Sequence, residues 1–270
     1  MTRLLALEWL KLRHYRPFWV LLILYFVVLG LVSCSVMLFF EYLASRGAKF
    51  QGIDPTIVPF YDFDDVWQNL TYLATYYKIF LGFVVVISIT NEYDYKTIRQ
   101  NIIDGLTKKE FLGTKLLVIL VLSAATTVFL FLVGLVMGWI YSPVQGAEAI
   151  FANAEFLLAY FLEVLTFLVL ALLIGMLIRR TGFAIVLLAF YTLFLEPIGT
   201  TILAVNFPNV TFYEYFPIRA INNLIPVSYH KYAFREVQDF VAIKDVVVVG
   251  LYLIGFTFLN YRLLKTRDVS

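Results

Sequence analysis

The sequence predicts an all-α integral membrane protein with six transmembrane helices. Composition is the first observation: 61% of the 270 residues are hydrophobic, 18% are aromatic and the mean hydropathy is +0.85, more apolar surface than a soluble core of this length can bury. Run length is the second. The apolar stretches are continuous and reach the ~20 residues that cross ~30 Å of hydrocarbon at ~1.5 Å per residue, whereas barrel strands show ~10-residue segments of alternating polarity. The third is the distribution of Lys and Arg, which the rule for short cytoplasmic loops turns into an orientation.

The spans are expected at about 17–40, 71–90, 115–141, 156–178, 182–203 and 246–264, within a single domain covering 1–270. Before the first span, "MTRLLALEWLKLRHYR" places Leu5, Trp9 and Leu12 on one stripe with Arg3, Lys11 and His14 roughly opposite. This is the pattern of a helix lying in the headgroup layer over residues 1–16; a plain basic anchor is the alternative. Pro17 then suits the first turn of a spanning helix. Fourteen of the 21 Lys and Arg residues fall on the side that holds both termini and the loop between spans two and three, six fall on the other side, and Lys78 lies within a span. Both termini are therefore expected in the cytoplasm. Cys34 is the lone cysteine; "LVSC" has the look of a lipoprotein box, but the apolar run continues through "SVMLFF", so we read an uncleaved first span.

Between spans two and three, "NEYDYKTIRQNIIDGLTKKEF" is the longest strongly polar run. From Asp94 to Asp104 the apolar positions Tyr95, Ile98 and Ile102 recur at helical spacing, while Lys96, Arg99 and Gln100 face elsewhere, so a short amphipathic helix with one apolar ridge is expected. Gly105 supplies a stop. Thr107 and Glu110 form a T-x-x-E capping box that restarts the chain into span three. Beyond span five, residues 204–244 are too apolar for a solvated loop and too broken by Pro208, Pro217 and Pro226 to span; we expect short outer helices that re-enter the bundle, because irregular backbone at that depth must be covered by protein.

Glu163 and Glu196 fall inside spans, where an acidic side chain costs a few kcal/mol (~2.5–3.5 for Asp on insertion scales) unless paired or wet. At helical rise Glu163 lies ~10 Å from the outer end of span four, and Glu196 ~21 Å up span five from the cytoplasmic end. Lys78 reaches a similar depth. We expect Lys78 to pair with one of these glutamates, either lining the outer end of a substrate path or fixing helix packing. Pro197 is expected to break span five, as a hinge or as its end.

The order of these parts resembles the membrane subunits of ABC-2-type transporters: a basic amphipathic segment, six spans, both ends inside and a helical insert between spans two and three. "NEYDYKTIRQNIIDGLTKKEFLGTKLL" is similar to that family's coupling segment through Glu92 at the end of span two, Thr97, the turn Leu106, Thr107 and Lys108, and Lys115 opening span three. Lys96 departs from it, since many members carry a small residue before the Thr. "FPIRAINNLIP" is similar to the family's re-entrant segment. The resemblance implies that Glu92, Tyr95, Thr97, Ile98, Arg99, Ile102, Thr107 and Lys108 meet a separate ATPase, and that two ATPases, which hold ATP and Mg, drive two permease copies, identical or not. This chain has no G-x-x-x-x-G-K-[ST] loop, so phosphate binding falls to that partner; no cofactor is expected here. The resemblance further implies outward transport and a bacterial inner membrane, with no nucleic-acid partner.

Three other readings remain. Two membrane glutamates would suit an ion-coupled secondary carrier, although no repeat relates residues 1–140 to 141–270. The chain would also serve as a non-transporting membrane partner of an ATPase. An intramembrane enzyme is disfavoured: His14 and His230, the only histidines, fall on opposite sides, and no G-x-S-x-G or H-E-x-x-H motif occurs.

Overall fold

A computed structural model describes residues 13, 15–49, 56, 58–103, 105–144, 146–209, 211–227 and 238–266, with the side chains of Arg99, Asn101 and Ile102 outside that description. Most of the amphipathic segment expected at 1–16 also lies outside it. Among the described residues all regular structure is helical. Five helices are long and apolar enough to cross a membrane, and a bent pair makes a sixth span if its halves are taken together.

Helix α1, Arg16–Ser45, begins with Pro17 in its first turn and turns Tyr25, Leu29 and Ser33 inward while Val20, Leu24, Val27 and Leu31 face out. The next span is not one rod. Helices α2, Val66–Thr75, and α3, Lys78–Asp94, meet at an angle of 47°. Neither proline nor glycine lies at the break; instead the Thr75 hydroxyl donates to the Thr71 carbonyl, and Tyr77 and Phe80 close three-residue turns onto Ala74 and Tyr77. Back-bonding of this kind bends helices, and it leaves Lys78 at the start of α3 instead of several residues into a continuous span. After α4, Thr97–Ile103, helix α5 runs through Lys108–Tyr141. Its glycines permit close approach: a Cβ on Gly134 would stand 2.5 Å from Trp67, and one on Gly138 would stand 2.5 Å from Phe63. Small residues at a helix contact in lipid serve this purpose.

The short α6, Ala147–Phe151, leads into α7, Glu155–Ile178, which is buried around most of its circumference and packs against α2, α3, α5 and α11. Apolar all round, it occupies the centre as such a helix must. Helix α8, Thr181–Phe190, passes through a π-helical turn, Tyr191–Leu195, into α9, Glu196–Asn206. Of the two roles left open for Pro197, a hinge or the end of the span, the structure excludes the end. The wider π turn accommodates the missing N–H and the bulk of the ring, and the helix continues for nine residues beyond Pro197. A 3₁₀ turn, Phe212–Tyr215, and α10, Pro217–Asn222, fold back before α11, Ile243–Thr266, returns across the bundle. Helix α11 links its two ends, from the fold-back segment at Ile243 to the polar insert near Thr266.

Candidate functional site

The polar insert is built from local chain chemistry. Gly105 adopts φ 93°, in the left-handed region glycine tolerates, and Thr107 and Glu110 close a full capping box: the Glu110 amide donates to Thr107 Oγ1 at 3.2 Å and the Thr107 amide donates to Glu110 Oε2 at 2.9 Å. The first turn of α5 is tied to the last turn of α11, where Lys108 Nζ donates to the Lys265 carbonyl at 3.3 Å and Lys109 lies over the Tyr261 ring.

Where the sequence suggested one helix from Asp94 to Asp104, the chain turns at Tyr95 and Lys96. Lys96 takes φ 54°, a backbone that glycine holds with less strain. The turn splits the anticipated ridge. Ile98 is packed inside this chain at 2% exposure, whereas Tyr95 and Ile103 are exposed at 73% and 68%. Among the described side chains of the insert, the exposed large apolar groups are Tyr95 and Ile103, and Ile98 anchors the insert.

Beneath the insert lies a buried polar knot. Lys115 Nζ is 2.8 Å from Glu92 Oε1, and Thr97 Oγ1 donates to Glu92 Oε2 and also, at 3.3 Å, to the Glu92 carbonyl. Glu92 and Lys115 are both buried. The end of α3, the start of α4 and the first part of α5 therefore share one carboxylate. Nearby, Thr181 at the start of α8 contacts Thr90 Oγ1 at 2.8 Å, and Arg179 lies over the Tyr93 ring. Charge-assisted hydrogen bonds thus tie α4 to both α3 and α5 in a low-dielectric setting, where they are stronger than in water.

At the other end of the bundle the three intramembrane charges divide their tasks. Lys78 pairs with Glu163, at 2.5 Å between Nζ and Oε1, and donates to Asn222 Oδ1 at 2.6 Å; Thr75 Oγ1 donates to the other oxygen of Glu163 at 3.2 Å. Glu196 does not join this pair. Its Oε1 accepts from the Arg219 backbone N–H at 2.8 Å. Helix α10 is consequently held by a carboxylate near its start and an ammonium at its end, the signs that its peptide dipoles favour. Around these groups lies a cavity of about 690 Å³, lined among others by Lys78, Glu196, Arg219, Lys244 and Asp245. Tyr72 and Tyr76 also line it, with their hydroxyls 2.9 Å apart. The cavity had no signature in the sequence, because its walls come from α2, α3, the π turn, α9, α10 and α11 together.

Glu92 and Thr97 thus come together with Lys115 at one end, where Thr107 bonds Glu110 and Lys108 reaches Lys265 instead, and Lys78, Glu163 and Glu196 line or adjoin one region at the other. Arg99 and Ile102 have no described side chains. A family model described as ABC-2 family transporter protein matches residues 4–195, more than half of the chain. No curated protein matches.

Proposed function

Because the chain belongs to the ABC-2 family of transporter proteins, and so is a multi-pass permease component of an ABC transporter, we propose that it is the membrane-spanning subunit of an ATP-driven exporter moved by a separate ATPase. The observation that carries this reading is the knot of Glu92, Thr97 and Lys115 beneath an insert that offers Tyr95 and Ile103 outward. An ATPase that closes on nucleotide and pushes on α4 acts through one carboxylate on both α3 and α5. Two permease copies, identical or different, meet a pair of ATPases, which hold ATP and Mg. Both termini face the cytoplasm of a bacterium, and the cavity beside Lys78 and Glu196 is the outer end of the substrate path.

The chain's own residues do mechanical work here, and the hydrolysis is the partner's. Lys115 and Thr97 hold Glu92, Glu92 fixes the angle between α3 and α4, and the fold-back helix α10 forms a wall that Lys78 and Glu196 keep in place.

The test is affinity purification of the tagged chain from its native membranes, with vanadate-sensitive ATP hydrolysis measured in the eluate. Hydrolysis co-purifies with the wild type, and Ile103→Asp lowers it about tenfold, as loss of a central apolar contact does, without reducing helix content. Ile98→Asp unfolds the insert instead, because it places a charge in the protein's own core. An eluate without hydrolysis, or one unchanged by Ile103→Asp, overturns the proposal.

A further inference from the structure

The seam between the start of α5 and the end of α11 gathers four cations. On α11, Phe258, Tyr261, Arg262 and Lys265 follow one another at the three- and four-residue steps that place them on one face. The first turn of α5 supplies Lys108, whose Nζ donates to the Lys265 carbonyl at 3.3 Å, and Lys109, whose Nζ stands 5.8 Å from the centre of the Tyr261 ring. Arg262 folds back over Phe258, with 5.7 Å between its guanidinium carbon and the ring centre. Little negative charge balances them. Glu110, the acid of the α5 first turn, is taken up by the amide and hydroxyl of Thr107, and α11 has no acid after Asp245. Lys108 and Lys109 also stand at the helix end where the peptide dipoles disfavour cations.

The same face continues toward the middle of the membrane as apolar surface. Leu251 and Ile254 lie on the stripe of Phe258, and the three are exposed at 64%, 68% and 56%. Arg262 rests one turn beyond this apolar surface, its stem along the helix and its charge at headgroup level, as long cationic side chains settle in lipid. Leu251 precedes Arg262 by eleven residues, ~16 Å at helical rise and about half of a ~30 Å hydrocarbon layer. Across the seam, a Cβ built on Gly113, one turn after Lys109, would meet nothing within 4 Å, so α5 leaves the strip open there. A cationic rim above an uncovered apolar strip one leaflet deep matches a single amphiphile with an anionic head and an apolar tail. A soluble protein fits less well, because the charges sit beside groups that face hydrocarbon.

We infer that the α5–α11 seam holds an anionic phospholipid, its phosphate received by Lys109, Arg262 and Lys265 and an acyl chain laid along Leu251, Ile254 and Phe258. The site is independent of the ATP-driven reading, and a failure of ATP hydrolysis to co-purify leaves it untouched. The purified full chain, stripped of native lipid in detergent, is titrated with dioleoyl phosphatidylglycerol and separately with dioleoyl phosphatidylcholine. Native mass spectrometry counts the lipids bound per chain.

One phosphatidylglycerol binds at least about 25-fold more tightly than phosphatidylcholine, the scale of two cations at about fivefold each. Lys109→Gln combined with Arg262→Gln removes that preference, whereas Arg180→Gln, at an exposed cation on another loop of the same end, leaves it intact. Glycerol phosphate, the head without its tails, does not displace the lipid even in large excess. Equal binding of the two lipids to the wild type overturns the inference, and this comparison uses no variant, so it decides even where a substitution disturbs folding. A preference that survives the double variant, or that falls as far with Arg180→Gln, overturns it by showing diffuse attraction only. Displacement by glycerol phosphate overturns it in favour of a soluble phosphate. A benzophenone side chain at Phe258, activated in native membranes, gives lipid adducts; adducts with another protein overturn the lipid assignment.

Discussion

Replacing Glu92 by Gln removes one charge and little volume, and its cost follows from what surrounds the carboxylate. Glu92 and Lys115 are 5% and 4% exposed, with 2.8 Å between Nζ and Oε1, and Thr97 holds the second oxygen. In Glu92→Gln the lysine remains buried without its counter-ion. Breaking such a pair from one side costs about 3–5 kcal/mol; the glutamine oxygen still accepts from Nζ, which sets the expectation at the lower end, about 3 kcal/mol or roughly 150-fold in the unfolding equilibrium. The companion variant Glu92→Gln with Lys115→Met removes both charges and returns to within about 1 kcal/mol of the wild type, since a well-packed apolar replacement of a buried pair is often neutral. Unfolding driven by increasing SDS in mixed micelles, followed by circular dichroism, gives all the free energies. A cost below about 0.5 kcal/mol for Glu92→Gln, the scale of a solvated surface pair, or a double variant no better than the single one, would refute the view that this knot braces the insert.

Three further outcomes follow from the same reasoning. Lys78→Met leaves Glu163 buried without its counter-ion and frees Asn222 at the end of α10; it destabilises by about 3–5 kcal/mol, and pairing it with Glu163→Leu recovers most of that loss in the same SDS titration. Gly134→Ala drives a methyl toward Trp67, where a Cβ would stand at 2.5 Å, and costs about 1–3 kcal/mol; the Trp67 fluorescence shift reports the displaced ring. Asp62, in the loop before α2, has its pKa raised by burial and then by the charges of Asp65 and Asp64. The folded state therefore binds the proton more tightly than the unfolded chain does, so stability is present at acid pH and falls as pH rises through the folded value. Asp62→Asn raises the melting temperature at pH 7, and the gain shrinks toward pH 4; a constant gain would contradict the assignment.

How much was legible in the sequence depended on how local the cause was. The glycine stop at Gly105 and the capping box of Thr107 with Glu110 are set within a few residues, and both stand in the structure. The pairing of Lys78 with a glutamate was anticipated from depth alone, since charges at one level in hydrocarbon seek each other; that the partner is Glu163 depended on the bend between α2 and α3. That bend has no proline or glycine to announce it. The division of Tyr95 from Ile98 was hidden for a related reason: periodicity assumes an unbroken helix, and the left-handed turn at Lys96 rotates everything after it. Pro197 left a hinge and a helix end open in the sequence, and only the π turn before it shows that the helix continues. The cavity was invisible, being a joint product of elements far apart in sequence.

The account turns on whether the outward side of α4 touches a motor protein. A photoreactive benzophenone side chain placed at Ile103, 68% exposed, and activated in native membranes gives the most direct reading. An adduct with a subunit carrying the phosphate-binding G-x-x-x-x-G-K-[ST] loop is the expected product, strengthened when nucleotide is added. Adducts with lipid alone would contradict the account.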